Sequence, residues 1–483
     1  MRAPIVDHRS TIASSKHRGT TTAVPDTLRH PWLIVAAVAA VLAAWMGLGT
    51  LHDSQHADSL LTVLISTQRW TPFFWGQDRF GMLVPLAAMP IRHPLTNLLV
   101  QGWIMTVAAL LAPFVMARFL TQRAGAWIAI GACTNTLFLL VARPAVQFDW
   151  FVTQPYALSI VLGFAALIVA DGDDRRRATM SAAALLVLAS WVNIGIVVLI
   201  AVAAVVISAR RIRLLALAAA AFAVTSLAAR NLAPAHTITA LAPVWKWPNG
   251  WWQLLEGSAD VTARPTVGIG IAGGTAIALV WLWRTDALPS SRTVVGIVMM
   301  AVGSWLVVGT SLWVGMNRYA FRYMYPTLMI AGLGVSTVFA ALFAKRIKEL
   351  SVASMVALLA VAVASYGTPS LGRVERSLDD RFGRQTATLL HNGVTVLAGD
   401  YWRVWPAVFH ANLALARTRS HARLFGLAFR SEGTDPLWKG TGRPVVLAGW
   451  HDDRSLAAVA DEHGVRITLL AHLPEMDLYT AQP

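Results

Sequence analysis

Long apolar runs separated by short polar joints, many of them basic, set the pattern of this chain. The runs fall at about 32–51, 97–117, 125–141, 156–170, 179–191, 193–208, 213–229, 264–283, 293–314, 326–344 and 351–366. Several reach the ~17–25 residues that span a bilayer as helix. Inside lipid every backbone polar group needs an internal partner, so these runs are predicted to be helices.

The stretch 179–208 can be read as one span or two short ones. It is flanked by Arg175-Arg176-Arg177 and Arg210-Arg211-Ile212-Arg213. Two helices breaking near Trp191-Val192-Asn193 would keep both clusters on the same side, as the positive-inside rule favours. The total is then about eleven transmembrane helices, the number of apolar runs of spanning type.

After 366 the pattern changes. Charge rises, and short strand-like segments at 394–398, 445–448 and 467–470 alternate with helix-like stretches at 404–416 and 453–462. The expected fold is an all-α polytopic membrane domain followed by a small C-terminal α/β domain. Residues 1–31 form a tail, 32–366 the membrane domain with outer loops 52–95 and 230–263, and 367–483 the α/β domain.

Composition agrees with this reading: 56% of residues are hydrophobic and 13% charged. The net charge of +15 is no sign of nucleic acid, because the basic residues lie between the spans and over the tail. Their bias places the N-terminus in the cytoplasm and the α/β domain outside. The single Cys133 excludes an intrachain disulfide, which fits a bacterial inner membrane.

Candidate chemistry sits at the outer mouth of the first span, in His52-Asp53-Ser54-Gln55-His56-Ala57-Asp58. The stretch 58–70 reads as a helix lying on the membrane surface. Asp58 could simply cap that helix. It could also act as general base toward an acceptor hydroxyl, with Asp53 as rival and His56 as an orienting neighbour. In glycosyl transfer the anomeric carbon becomes cation-like early, so a carboxylate is a sufficient base.

A phosphate leaving group needs positive charge and hydrogen-bond donors rather than an acid. The segment Asn317-Arg318-Tyr319-Ala320-Phe321-Arg322-Tyr323-Met324-Tyr325-Pro326 offers Arg318, Arg322 and Tyr323. An aromatic and basic interface belt is the plainer reading of the same residues. Lys246 is a further candidate for the phosphate, and Trp245 and Trp247 beside it can stack on sugar or anchor the loop. Asp149 in Gln147-Phe148-Asp149-Trp150 is a second outer carboxylate. Tyr401 in Gly399-Asp400-Tyr401-Trp402 follows a strand and suits equally an acceptor-binding edge or packing of the tail onto the membrane domain. Asp78-Arg79 reads as a local ion pair. There is no phosphate-binding loop, no Cys/His metal spacing and no nucleophile elbow.

The whole pattern resembles the C-type glycosyltransferase superfamily, multi-spanning enzymes that use polyprenyl-phosphate sugars. An acidic residue follows the first span (Asp58, with Asp53 nearby). A late outer loop carries Arg318-Tyr319 and Arg322-Tyr323 before Pro326, and an extracytoplasmic domain closes the chain. The resemblance implies an inverting transfer with Asp58 as base and an arginine on the donor phosphate. Many members carry two adjacent acidic residues, whereas Asp53 and Asp58 are spaced apart here. That spacing leaves open which of them is the base, and whether a divalent metal takes part; no other cofactor is expected.

The expected function is transfer of a sugar from a polyprenyl-phosphate donor to an extracytoplasmic glycan, glycolipid such as lipopolysaccharide, or protein. Beside a non-catalytic assembly protein that docks through its tail, two alternatives remain. One is a polysaccharide polymerase or ligase that uses a lipid-diphosphate oligosaccharide. The other is a lipid or glycan transporter, for which ionisable residues inside the spans are scarce.

Overall fold

The computed structural model describes residues 31–482 apart from 54, 79, 173–174, 209, 234–240, 259–260, 262–290, 317–319, 429–430, 441, 452–455, 457–459 and 462. Helix α1 (Pro31–Asp53) is the first apolar run, opening on a proline whose missing N–H has no helical partner to lose. It is followed by α2 (Ala57–Thr67), α3 (Leu83–Ala88), α4 (Pro94–Leu120) and α5 (Ala124–Val141). Helix α6 (Pro144–Phe148) continues into a wide π turn (Asp149–Thr153) before α7 (Tyr156–Gly172). The chain bends there by 57°. Pro155 explains the break, because it drives Gln154 into extended backbone at φ −99° and ψ 128°. The stretch 142–155, between the apolar runs 125–141 and 156–170, is therefore mostly helical.

Helices α8 (Arg176–Val192), α9 (Ile196–Val206), α10 (Arg211–Leu232) and α11 (Trp247–Ser258) come next. The membrane part closes with α12 (Ser291–Gly309), α13 (Leu312–Met316), α14 (Tyr325–Leu342) and α15 (Ile347–Tyr366). The 179–208 stretch does break in two: Asn193 ends α8 and its side-chain oxygen accepts from the Gly195 N–H at 2.9 Å. Among the described residues six helices are long and apolar enough to cross a membrane, or seven if the bent pair is one span. The eleven runs read from sequence include α9, which at ~1.5 Å per residue is shorter than a bilayer core. They also include 264–283, which lies outside the described residues. The chain is a multi-pass helical membrane protein.

The tail opens with α16 (Leu371–His391), β1 (Val396–Ala398) and α17 (Tyr401–Arg417). It continues with β2 (Phe425–Leu427), α18 (Asp435–Lys439), β3 (Val445–Trp450), β4 (Arg466–His472) and β5 (Met476–Gln482). The five strands form one sheet in the order β2-β1-β3-β5-β4. β1 is parallel to both β2 and β3, whereas β5 runs antiparallel to β3 and β4. The α/β expectation for the tail is met; β2 and β5 are strands the sequence pattern did not single out.

The tail and the membrane helices share one continuous core. α17 packs on α2, and α16 on α1. Helix α2 was expected to lie open on the membrane surface. It is instead buried, from Leu60 and Leu61 to Val63, Leu64 and Ile65, because α17 lays its apolar side over it. Polar ties add to the seam: Ser370 N–H donates to His52 Nε2 at 3.1 Å, and Gln68 Nε2 donates to the Leu424 carbonyl at 3.1 Å. The fit is tightest at Gly433, where a Cβ would lie 2.0 Å from the Trp75 ring. Trp75 is itself packed against Trp405, ring centroids 5.8 Å apart. Gly433→Ala is expected to loosen the tail from the membrane helices at a cost of roughly 1–3 kcal/mol. Faster cleavage by limited proteolysis and a lower thermal midpoint in detergent would register it, and an unchanged pattern would mean the seam is slack.

Buried His410 ties α17 to α16. It accepts from Thr386 Oγ1 at 2.7 Å through Nδ1 and donates to Asp379 Oδ1 at 2.9 Å through Nε2, a set of partners that suits the neutral ring. Burial lowers its pKa from the ordinary imidazole value, outweighing the pull of Asp379. A base whose folded pKa is depressed loses stability as pH falls, because the unfolded chain binds the proton first. The thermal midpoint is expected to drop as pH falls below about 6.5, the ordinary histidine value, and His410→Gln should flatten that slope.

Candidate active site

Asp58 is the second residue of α2. His56, not Asp58, occupies the cap position, and no side chain caps the helix. The carboxylate of Asp58 instead faces across the protein. Its Oδ2 accepts from Arg322 Nη1 at 3.2 Å, and its Oδ1 accepts from the Tyr401 hydroxyl at 2.5 Å. Three segments far apart in sequence thus meet at one carboxylate. The ion pair is largely enclosed, with side-chain exposures of 16% for Arg322 and 19% for Asp58. Two charges so placed must compensate each other, since either one left alone would lack solvation.

Local structure sets each member. Arg322 lies on a short 3-10 turn (Ala320–Met324) that ends where Tyr325 and Pro326 begin α14. Tyr401 opens α17 immediately after β1. Gly399 at φ 144° makes the turn between them, in backbone space that favours glycine. Asp400 caps α17 by accepting from the Trp402 N–H at 2.8 Å. That cap aims Tyr401 and Trp402 back at the membrane helices.

Asp149, the second carboxylate, sits on the π turn at the bend. Its Oδ2 accepts from the Tyr325 hydroxyl at 3.0 Å, and its Oδ1 lies 3.4 Å from His56 Nε2. The His56 ring stands edge-on to Phe148 and to Trp402, centroids 4.9 and 5.9 Å away. Arg322 feels the negative charge of both Asp58 and Asp149. Two acid groups, one guanidinium, one imidazole and two phenols therefore form a connected polar island above an apolar bundle.

A cavity of about 610 Å³ opens beside the island. Asp58, Arg322, Tyr401 and Trp402 line one side, with Thr62, Gln77, Gln101 and Gln154 supplying further polar groups. The rest of the wall is apolar, including Phe74, Phe80 and Trp313. A second cavity of about 820 Å³ shares Phe80 and runs among α7, α9, α10 and α12. Its wall is largely apolar, with Tyr323, Tyr156 and Arg230 among its polar members.

Of the residues picked out from sequence, Asp58, Arg322, Tyr401, His56 and Asp149 come together here. Tyr323 is buried on the wall of the second cavity, its ring 6.5 Å from Tyr156. Lys246 and Trp245 are exposed, and with Trp247 they line neither cavity. Trp247 binds its indole N–H to the Ala242 carbonyl at 2.8 Å, a loop-anchoring contact. Arg318, Arg79 and the side chain of Asp53 lie outside the described residues. Asp78 is buried on the second cavity's wall. Among the described residues, the one group with a metal-binding set of His, Cys, Asp or Glu does not include Asp58. Sequence reasoning passed over Tyr325, Gln101 and Gln154; nothing in their local pattern marks them, because the start of α14 places Tyr325, the bend places Gln154, and Gln101 sits within the apolar α4.

No protein-family model and no curated protein matches the sequence. Solved structures do match it along nearly its full length. The crystal structure of ArnT from Cupriavidus metallidurans bound to undecaprenyl phosphate aligns with a TM-score of 0.52 at 13% identity. It covers 94% of this chain and 98% of that one. The same enzyme in the apo state aligns with a TM-score of 0.51 at 12% identity, covering 93% and 97%. The chain has the C-type glycosyltransferase fold. At this identity the likeness concerns the fold, and the chemistry must be argued from the polar island itself.

Proposed function

We propose that the protein is an inverting membrane glycosyltransferase that moves a sugar from a polyprenyl-phosphate donor to an extracytoplasmic acceptor. The observation that carries this reading is the meeting of Asp58, Arg322 and Tyr401 at the edge of a cavity. The ArnT likeness supports a polyprenyl-phosphate donor, since one of those structures holds undecaprenyl phosphate.

In this reading the donor phosphate competes with Asp58 for the Arg322 guanidinium. Asp58 then loses its ion-pair partner as the donor arrives, and its oxygen is released to accept the proton of the acceptor hydroxyl. The acceptor oxygen attacks the anomeric carbon, the carbon–oxygen bond to phosphate breaks, and polyprenyl phosphate departs against Arg322. Asp149, held by Tyr325 and His56, fixes the far side of the sugar. The first cavity suits a sugar phosphate in size, and the second, more apolar one suits the first isoprene units. Asp53, Arg318, Lys246, Trp245 and Trp247 are left without an assigned part. The protein works in a bacterial inner membrane with the tail on the outer side, and the acceptor is a glycan, glycolipid or protein.

The test is release of polyprenyl phosphate from a panel of radiolabelled polyprenyl-phosphate sugars in membranes bearing the protein. Turnover of at least one monosaccharide donor is expected. Consumption only of lipid-diphosphate oligosaccharides would replace the reading with a polymerase or ligase. Movement of label without a new glycosidic bond would replace it with transport. Tyr401→Phe removes one hydrogen bond from Asp58 and keeps the ring. It is expected to lower kcat by roughly tenfold, the equivalent of about 1.4 kcal/mol. Unchanged kinetics would show that the hydroxyl merely packs.

A further inference from the structure

The tail sheet brings together three side chains that no sequence motif joins. His472 ends β4, Asp477 lies one residue into β5, and His451 follows β3. Register places them. Asp477 is the direct cross-strand partner of His472 on one side and of Gly449 on the other. The His451 N–H reaches the Glu475 carbonyl at the same end of the sheet. Both rings converge on a single carboxylate oxygen: His451 Nε2 lies 2.8 Å and His472 Nδ1 2.6 Å from Asp477 Oδ1. One ligand atom from each residue falls within 4.8 Å of the others.

We propose that His451, His472 and Asp477 bind one divalent transition-metal ion of the zinc class. Two imidazoles and one carboxylate suit zinc, cobalt or nickel, whereas magnesium and calcium prefer all-oxygen sets. Three protein ligands leave a fourth position for water or an anionic oxygen. The Tyr479 hydroxyl donates to Asp477 Oδ2 at 3.3 Å and so orients the carboxylate from outside the ligand set. Tyr479 shares that face because it lies two residues along the same strand. The plainer reading is a hydrogen-bonded cluster that blunts the exposed edge strand β4. Edge protection does not require two rings from different strands to aim at one oxygen.

The place in the fold gives the ion a structural consequence. It would clamp the ends of β3, β4 and β5 on the sheet edge where β1 delivers Tyr401. Trp450, next to His451, carries the Arg403 guanidinium of α17 over its ring at 4.5 Å. A metal at this edge therefore stiffens the neighbour of the helix that presents Tyr401 and Trp402. The inference stands independently of the transferase reading.

The test uses full-length protein in detergent, purified with a histidine-free tag, stripped with chelator and dialysed against zinc. Mass-spectrometric metal analysis is expected to find one equivalent per chain. Cobalt in its place is expected to give the visible bands of a four-coordinate ion. His451→Ala and His472→Ala, at rings 43% and 71% exposed, remove ligands without opening the core. Each is expected to weaken zinc at least about tenfold. His421→Ala, an exposed histidine elsewhere on the tail, should leave binding unchanged. Millimolar magnesium should not displace the ion. Zinc bound equally by the wild type and by the triple variant lacking His451, His472 and Asp477 would overturn the site. So would equal losses in His421→Ala, or displacement by magnesium.

Discussion

Asp58→Asn is expected to reduce transfer by about 10²–10⁴-fold, the usual worth of a positioned general base. The substitution keeps the size of the side chain and an oxygen for the Tyr401 hydroxyl, but the amide cannot take a proton. It also frees Arg322 from its ion pair with Asp58. Donor binding should therefore survive or tighten while kcat collapses, a split that mere loss of structure would not produce. The check is steady-state turnover of the accepted donor in detergent, with donor KM measured alongside and folding followed by size-exclusion elution. A variant as active as the wild type would remove Asp58 from the role of base. Asp149 and Asp53 would then be the carboxylates to test.

Arg322→Ala has the second large effect, and it falls on both activity and stability. Loss of the Arg322 guanidinium at Asp58 is expected to cut kcat/KM by about 10²–10³-fold, the scale seen when a charge-stabilising donor is removed. It also takes the Arg322 cation away from a largely enclosed carboxylate. The cost to stability should be roughly 1–3 kcal/mol, less than for a fully buried pair because both side chains keep some solvent. Arg322→Lys keeps the charge but loses the planar fork, so partial rescue is expected. The decisive comparison is the double variant Asp58→Asn with Arg322→Ala. It should recover most of the lost stability, since no charge is stranded, and recover no activity. A double variant as unstable as Arg322→Ala alone would show that the arginine matters by packing rather than by pairing. An Arg322→Ala protein with wild-type donor KM and kcat would place the phosphate elsewhere.

The two predictions rest on residues that differ in how far the sequence could reveal them. Asp58 stood out because an acidic residue at the mouth of a first span has no routine membrane role. Arg322 stood out because a phosphate leaving group needs positive charge and the segment before Pro326 supplies it. Both are read from a local pattern, which is the kind of signal a sequence carries. Tyr401 was legible as a polar-aromatic turn after a strand. Lys246 and the tryptophans beside it looked equally suitable by residue type, yet they line neither cavity. Residue type names a chemistry, whereas position along the chain does not say which loops share a pocket.

The apolar runs by themselves determined that the chain is a helical membrane protein with a mixed α/β tail. Bilayer thickness and backbone hydrogen bonding allow few other outcomes for such a pattern. The break of 179–208 at Asn193 was legible from the flanking basic clusters, which the positive-inside rule favours on one side. Tertiary structure alone decided that α2 is covered by α17 rather than open to the membrane surface. It alone bent the chain at Asp149 and Pro155 and turned that carboxylate toward His56 and Tyr325. It alone set β3, β4 and β5 in the register that gathers His451, His472 and Asp477. The reason is physical. Burial and periodicity are properties of neighbours along the chain, but an ion pair across 264 residues exists only once the core between them has packed.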